Sequence, residues 1–234
     1  MIGDTLKDIK DIHSVSVKEG KLLYKLAKEC TGKGVIVEIG SWKGYSTIWL
    51  AKGSQSGECV EVYAIDPHIG SEVHRKMYGV VKTYPEFIKN IAKVNVENIV
   101  VPMVMTSKQA GEQWGDLPIE LLWIDGDHEA VDVDFDIWYS YVIDGGIIAL
   151  HDTTMWPSKV PYKVAIEKLY KSGDFVDVKR VMSITYAKKI DRLTRKNKIK
   201  NLCALYRRYI YQLFIPYYIK GLIIAVRIIG KVRK

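Results

Sequence analysis

The chain has 234 residues, of which 48% are hydrophobic, so it is long enough and apolar enough to fold as one domain around its own core. The net charge of +8 is uneven: residues 192–234 carry twelve Lys or Arg and no acid, which leaves −4 on residues 1–191. The excess of positive charge therefore lies in a tail and does not indicate a nucleic-acid-binding domain. A nucleic acid partner is not expected.

The predicted elements alternate between helix and strand through residues 1–190. A helical lead-in occupies residues 1–31, and helices separate the apolar runs GVIVEIG, CVEVYAID, NIVVPMVMT, IELLWID and GGIIALHD, which are typical of buried strands. Two more strands, FVDVKRV and MSITYAKK, follow without a helix between them. The pattern predicts an α/β fold with a doubly wound, mostly parallel, seven-stranded Rossmann-like sheet that has an antiparallel edge.

A glycine turn follows the first strand and opens a helix, in the segment VEIGSWKGYST. This is where doubly wound sheets bind nucleotides, because glycines allow close approach to the backbone at a helix N-terminus. The spacing is Gly40-x-x-x-Gly44, with Glu38 before it and Ser41 within it. Asp66 ends the second strand, where a carboxylate can accept both ribose hydroxyls.

This pattern, E-x-G-x-x-x-G-x-S/T with an acid after the second strand, resembles the class I S-adenosylmethionine-dependent methyltransferases. The resemblance implies S-adenosylmethionine as cofactor. It places the methionine part near Glu38 and Gly40, the ribose near Asp66 and the adenine near Ser107. The implied cofactor-facing set comprises Glu38, Gly40, Ser41, Gly44, Asp66, Ser107 and Asp125.

The acidic stretch IDGDHEAVDVDFDIW does not form a calcium-binding EF-hand loop, because Ile137 and Ile143 stand where a loop that starts at Asp132 needs glycine and glutamate. Its second half has apolar residues at helical spacing, which predicts a helix with Asp132 and Asp134 on a solvated face near the N-terminus. Asp136 is expected to support the preceding loop from behind.

The first half of that stretch lies at a strand end. The strand LLWID ends at Asp125 and is followed by His128, and the next parallel strand ends at His151 and Asp152. Neighbouring strands lie about 4.8 Å apart, so these groups are expected to face one another across one crevice. Carboxylates and an imidazole in that arrangement suit either a divalent cation or a general base.

The segments D-G-D-H and G-G-I-I-A-L-H-D-T together resemble the sugar and small-molecule O-methyltransferases grouped with macrolide-sugar methyltransferases and the cephalosporin hydroxylase family, over roughly residues 33–155. The resemblance implies His128 as catalytic base and Asp125 as a second catalytic residue. It also implies a divalent cation, usually Mg²⁺, held by Asp125 and Asp152. His151 stands where several relatives have a carboxylate and is the third candidate ligand.

The acceptor hydroxyl is then expected on a sugar, a glycan or glycolipid, or another small molecule. Segments 68–85 and 153–162 are predicted to line its pocket. An alternative function is that of a non-catalytic S-adenosylmethionine-binding or membrane-scaffold protein. The acidic residues and histidines predicted at the strand ends favour an enzyme.

Residues 191–234 form a predicted basic amphipathic helical tail. Its apolar, aromatic and cationic side chains are typical of a helix on an anionic membrane surface, whereas packing on the domain or homo-oligomerisation would cover the same apolar area. The scattered cysteines and the acidic N-terminus, without an apolar leader segment, predict a cytoplasmic protein. We expect it on the inner face of the membrane, near lipid-linked substrates.

Overall fold

The computed structural model describes residues 14–154, 158–192 and 194–211. The strands are β1 (Val35–Ile39), β2 (Val62–Ile65), β3 (Val100–Met103), β4 (Ile119–Ile124), β5 (Val142–Leu150), β6 (Phe175–Val181) and β7 (Ile184–Lys189). The α-helices are α1 (Val17–Lys28), α2 (Tyr45–Gln55), α3 (Glu72–Tyr78), α4 (Tyr84–Lys93), α5 (Ser107–Glu112), α6 (Val131–Trp138), α7 (Val160–Val164) and α8 (195–211). A 3-10 turn (Tyr139–Tyr141) follows α6, and a π-helical segment (Ala165–Lys171) continues α7.

The strands form one sheet in the order β3-β2-β1-β4-β5-β7-β6. The first five are parallel, and β7 pairs antiparallel with both β5 and β6. This confirms the predicted seven-stranded sheet with an antiparallel edge. Strand β7 lies beside β5 and β6 lies at the outer edge of the sheet, and a short turn joins these two strands without a crossover helix.

Helices cover both faces of the sheet. On one face α1, α2 and α4 bury large side chains such as Leu23, Trp49 and Phe87. On the other face α5, α6, the segment after α7 and α8 bury Trp138, Leu169 and Leu205. The central strands are therefore buried on both sides, which explains their continuous apolar sequence.

The register of the parallel strands brings their carboxyl ends into one row. Ile39 pairs with both Ile65 and Ile124, and Ile124 pairs with Leu150. The residues that follow these strands, Gly40, Asp66, Asp125 and His151, therefore lie side by side at one edge of the sheet. The fold thus assembles every predicted strand-end residue along a single edge.

Some predicted boundaries differ from the structure. The strand predicted from the run GGIIALHD begins earlier, at Val142, after a 3-10 turn that follows the end of α6 at Trp138. Helix α3 was not predicted. Residues 1–13 of the lead-in and 212–234 of the tail lie outside the described residues, and none of the described helices has the length and apolar character needed to cross a bilayer.

Candidate functional site

The glycine turn after β1 packs directly against the strand end that carries Asp125. Gly40 has φ +89°, and a Cβ added there would lie 2.4 Å from the Asp125 carbonyl oxygen. Gly44, which precedes α2, has φ +90°. Both positions need the left-handed backbone that glycine adopts at low cost, so the two predicted glycines shape a tight concave turn.

Asp66, at the end of β2, forms hydrogen bonds that hold this turn in place. Its Oδ2 accepts a hydrogen bond from the Trp42 backbone N–H at 2.7 Å, and its Oδ1 accepts one from the His68 backbone N–H at 2.6 Å. The carboxylate is largely buried at the sheet edge. Each oxygen retains a further lone pair, so Asp66 can still accept a hydroxyl donor.

Ser41 lies buried in the same turn, and its hydroxyl has no hydrogen-bond partner among the described residues. Buried hydroxyls are usually paired, so an unpaired one beside a concave turn indicates the place of a polar ligand. The Ser41 hydroxyl can therefore donate a hydrogen bond to such a ligand or accept one from it.

Glu38 is fully buried in β1 beneath the turn. Its carboxyl accepts a hydrogen bond from the Thr47 hydroxyl in the first turn of α2. Burial raises the pKa of Glu38 to about 8, since it outweighs the hydrogen bonds from Ser46 and Thr47, and the charges of Asp125 and Asp66 act in the same direction as burial. Glu38 therefore joins strand and helix beneath the turn.

The acidic helix α6 corrects one expectation. Asp132 is exposed, as predicted, but Asp134 is buried at 5% exposure, and its Oδ2 lies close to Gly126. Burial raises the pKa of Asp134, and a hydrogen bond with Ser107 opposes that shift. The prediction that Asp134 is solvated is therefore wrong, because the helix turns this side chain inward beneath the loop.

Asp136 was expected behind that loop, and this expectation is also wrong. It is exposed and pairs with Lys168 at 2.7 Å. Ser107 begins α5, and its hydroxyl accepts a hydrogen bond from the Trp138 indole at 2.8 Å. The role of Ser107 near an adenine stays a prediction.

The histidine of the D-G-D-H segment meets the acid that follows β5. His128 Nε2 lies 2.9 Å from Asp152 Oδ2, and both side chains are about one-third exposed or less. This hydrogen bond raises the pKa of His128 above 6.5, against the opposing effect of burial. Asp152 adopts a left-handed backbone with φ +47°, which helps to turn its carboxylate towards His128.

The second histidine is held between carboxylates. His151 Nδ1 lies 2.7 Å from Asp125 Oδ1 and 3.6 Å from Asp152 Oδ2, while Nε2 lies 3.7 Å from Glu19 Oε1, an ion-pair distance. Burial opposes the charge on this imidazole, but Asp125 and Glu19 outweigh it and raise the pKa of His151 to about 11. The three surrounding carboxylates therefore favour the protonated form of His151.

Sequence reasoning missed Glu19. Its Oε1 accepts hydrogen bonds from the Ser183 N–H at 2.9 Å and the Ser183 hydroxyl at 2.6 Å, and its Oε2 forms a capping box with Ser16. The segment S-x-x-E predicts only the capping box. Its second role depends on a turn between β6 and β7 that is distant in the sequence.

The predicted metal ligands do converge, since ligand atoms of Asp125, His151 and Asp152 lie within 4.8 Å of one another. Mg²⁺ prefers oxygen ligands, however, and His151 would have to lose the proton that the surrounding carboxylates stabilise before it could bind a cation. The set in this arrangement does not fit a hard divalent cation, and no step below uses one.

The two predicted acceptor segments reach the same edge of the sheet. His68 is buried, and its Nδ1 lies 2.8 Å from the Thr83 hydroxyl. Tyr162 lies in α7, under the Arg208 guanidinium at 4.7 Å. Residues 155–157 of the second segment lie outside the described residues. The contact of this pocket with an acceptor stays a prediction.

Comparison with solved structures shows the same fold. A cofactor-bound protein from MTB, Rv0187, superposes with a TM-score of 0.62 at 18% identity over 80% of this chain and 88% of that one. The O-methyltransferase TomG from Streptomyces achromogenes, in complex with SAM, gives 0.58 at 18% identity over 80% and 86%. An O-methyltransferase from Bacillus cereus, in complex with SAH, gives 0.57 at 20% identity over 80% and 88%.

A family model described as a methyltransferase domain matches residues 37–153, which is half of the chain. The match begins in β1 and ends one residue after Asp152, so it contains the glycine turn and both histidine–carboxylate pairs. The chain therefore belongs to this methyltransferase-domain family, which confirms the class I S-adenosylmethionine-dependent methyltransferase predicted from its motifs.

Proposed function

We propose that this protein is an O-methyltransferase that moves the methyl group of S-adenosylmethionine to a hydroxyl of a sugar, of a glycan or glycolipid, or of another small molecule. The observation that carries the proposal is the 2.9 Å contact between His128 Nε2 and Asp152 Oδ2. This pair lies at the sheet edge that also holds the Gly40 turn and Asp66. A base is thus available beside the place where the family binds its methyl donor.

The cofactor would lie across the carboxyl ends of β1, β2 and β4. Ser41 and the backbone of the Gly40 turn would hold its methionine part, and Asp66 would accept its ribose hydroxyls. When bound, the cofactor supplies a methyl group that is already electrophilic. The protein then has to align an acceptor oxygen with that methyl carbon and remove the hydroxyl proton.

His128 is the proposed base. In its neutral form it donates Nε2–H to the Asp152 carboxylate, which presents the Nδ1 lone pair to an acceptor hydroxyl. Asp152 orients the imidazole and stabilises the positive charge that develops as the proton is taken up. Asp125 is held by His151 and so keeps its carboxylate at the wall of the same crevice.

The charges of the crevice favour a neutral acceptor. Asp125 and Asp152 lie within it, and exposed Asp127 and Glu129 flank His128. An acceptor with a phosphate or carboxylate beside its reacting hydroxyl would be repelled, whereas a polyhydroxylated sugar could donate hydrogen bonds to these oxygens. The crevice therefore favours an acceptor whose reacting hydroxyl belongs to a sugar and has no anionic group beside it.

The test compares His128→Gln with Glu97→Gln, an exposed change of similar size that precedes β3 and lies outside the acceptor crevice. We expect His128→Gln to lower turnover by about 10²–10⁴-fold while S-adenosylmethionine binding by calorimetry stays unchanged. S-adenosylhomocysteine release is followed with sugars and lipid-linked glycans as acceptors. Equal turnover in both variants would refute the role of His128. If the wild type binds the cofactor but transfers no methyl group to any acceptor, the alternative of a non-catalytic binding protein is favoured.

A further inference from the structure

The first helix of the basic tail is docked on the domain through three buried residues. Asn201 donates a hydrogen bond to the Phe175 carbonyl at 2.7 Å, and Leu205 is 4% exposed within the core. Arg208 is 5% exposed and donates to the Thr185 hydroxyl at 2.9 Å and to the Thr153 carbonyl. The spacing of four and three residues places all three on one face of α8, which is therefore a fixed part of the fold.

Helix α8 runs along the antiparallel strands β6 and β7, from one end of β7 to the other. Its contact at Asn201 reaches Phe175, which pairs with Lys189 at the end of β7. Its contact at Arg208 reaches Thr185, which pairs with Leu150 at the end of β5. Because Leu150 immediately precedes His151 and Asp152, the described chain ends at the edge that carries the candidate active site.

The opposite face of α8 is apolar, aromatic and unusually exposed. The exposed fractions there range from 36% to 65%, at Ile199, Leu202, Tyr206, Tyr209 and Ile210. These positions follow helical spacing and form one continuous stripe, which we call the outer face of α8. Contiguous apolar surface of this kind is typical of a surface that binds another apolar phase.

Cationic side chains border the outer face. Five exposed basic residues lie on α8, at Arg195, Lys196, Lys198, Lys200 and Arg207. No acidic residue occurs anywhere in residues 192–234, so nothing in this segment neutralises them. Residues 212–234, which follow α8 in the sequence, are also rich in apolar residues and add five Lys or Arg.

We propose that the outer face of α8 binds the surface of an anionic lipid bilayer, and that the buried face of the helix holds this surface beside the active-site edge. Apolar and tyrosine side chains flanked by lysine and arginine suit the boundary between headgroups and acyl chains. The uncompensated positive charge is complementary to anionic headgroups. Arg208 then links the bilayer-facing helix to the residue that follows Asp152.

The test is sedimentation of the full-length protein with phosphatidylcholine vesicles, with and without phosphatidylglycerol. We expect binding only when phosphatidylglycerol is present, with partial loss at high salt. The charge reversal Lys196→Glu/Lys200→Glu/Arg207→Glu should weaken this binding by roughly a hundredfold, because each basic residue near the surface contributes about fivefold. The control Lys89→Glu/Lys93→Glu/Lys108→Glu, on α4 and α5, alters the net charge equally and should bind like the wild type.

A second variant removes apolar character without changing charge. Leu202→Gln/Tyr206→Gln/Ile210→Gln should weaken vesicle binding by at least about tenfold. Its control, Val80→Gln/Val133→Gln/Met182→Gln, alters side chains that are as exposed elsewhere. Thermal unfolding checks that all variants fold, and calorimetry with S-adenosylmethionine keeps this test separate from that of methyl transfer.

Three outcomes would overturn the proposal. The first is vesicle binding that is absent, or that is equal with and without phosphatidylglycerol. The second is vesicle binding that is unchanged in both α8 variants, which would assign it to residues 212–234 alone. The third is a wild-type dimer in light scattering that the Gln variant converts to a monomer, without any vesicle binding, so that a second copy of the chain covers the outer face.

Discussion

Glu19 Oε1 lies 3.7 Å from His151 Nε2, so helix α1 reaches the candidate active site from behind. The same oxygen accepts two hydrogen bonds from Ser183 in the turn between β6 and β7. Burial alone would raise the pKa of Glu19, but the contacts with His151, Ser183 and Ser16 hold it well below its ordinary value. One carboxylate therefore ties together α1, the antiparallel edge of the sheet and the end of β5.

Replacing Glu19 with Ala should lower the free energy of unfolding by about 2–4 kcal/mol, because it removes the acceptor of the partly buried Ser183 N–H and one of the carboxylates that surround His151. Chemical denaturation at neutral pH measures this loss. Glu29→Gln, an exposed change at the end of the same helix, should shift the free energy of unfolding by less than about 0.5 kcal/mol.

The contribution of Glu19 to stability should also depend on pH. Because the folded-state pKa of Glu19 is depressed, the stabilisation should be present above pH 4.5 and disappear as the pH falls further. A loss of stability that is equal at acidic and neutral pH would contradict this role.

The row of strand ends could be predicted from the sequence because it follows from local patterns. Short apolar runs define parallel strands, and parallel strands end at a common edge, so Gly40, Asp66, Asp125 and His151 had to lie near one another. The pairing of His128 with Asp152 follows from the same geometry. These positions depend on strand order and register, which the motifs largely determine.

Contacts between distant segments could not be predicted in this way. The stretch AVDVDFDIW shows an acidic helix, but it does not reveal that Asp134 turns beneath the Gly126 loop whereas Asp136 pairs with Lys168. Similarly, Asn201 and Arg208 look like ordinary members of a basic tail. They are buried only because the antiparallel edge offers the Phe175 carbonyl and the Thr185 hydroxyl as partners.

We expect this chain to depend less on a metal ion than its family resemblance implies. His151 has carboxylates at both ring nitrogens, so it neutralises part of the negative charge that a cation would otherwise neutralise. We expect methyl transfer to keep most of its rate after EDTA treatment, and Mg²⁺ add-back to raise it by less than about twofold. The measurement is S-adenosylhomocysteine release in EDTA, with and without excess Mg²⁺. Loss of activity in EDTA that Mg²⁺ restores would instead show that a cation displaces the His151 pairing.

The proposed base should give the reaction a characteristic pH dependence. His128 must be neutral to accept a proton, and its hydrogen bond to Asp152 raises its pKa above 6.5. The value of kcat/KM should therefore be low in acid and rise with pH, with its midpoint above 6.5. In Asp152→Asn the charge is lost, so the midpoint should move to lower pH and the plateau should fall. A midpoint that stays in place in Asp152→Asn would indicate that a different group controls the rate.

Glu38 should make the fold less stable as the pH rises. Its folded-state pKa of about 8 exceeds the ordinary 4.5, so the folded chain prefers the protonated carboxyl. Between these two values the free energy of unfolding of the wild type should fall by up to about 1.4 kcal/mol per pH unit relative to Glu38→Gln, whose side chain can still accept from Thr47. Denaturant unfolding at several pH values, without cofactor, measures the difference in free energy of unfolding between the two proteins. The effects of the other titrating groups cancel in this difference.

Glu129→Gln serves as the exposed control, and its free energy of unfolding should change with pH in parallel with that of the wild type. If Glu38→Gln also runs parallel to the wild type from pH 5 to 8, the buried carboxyl is ionised in the folded chain and the glycine turn must provide it with more hydrogen-bond donors than Ser46 and Thr47.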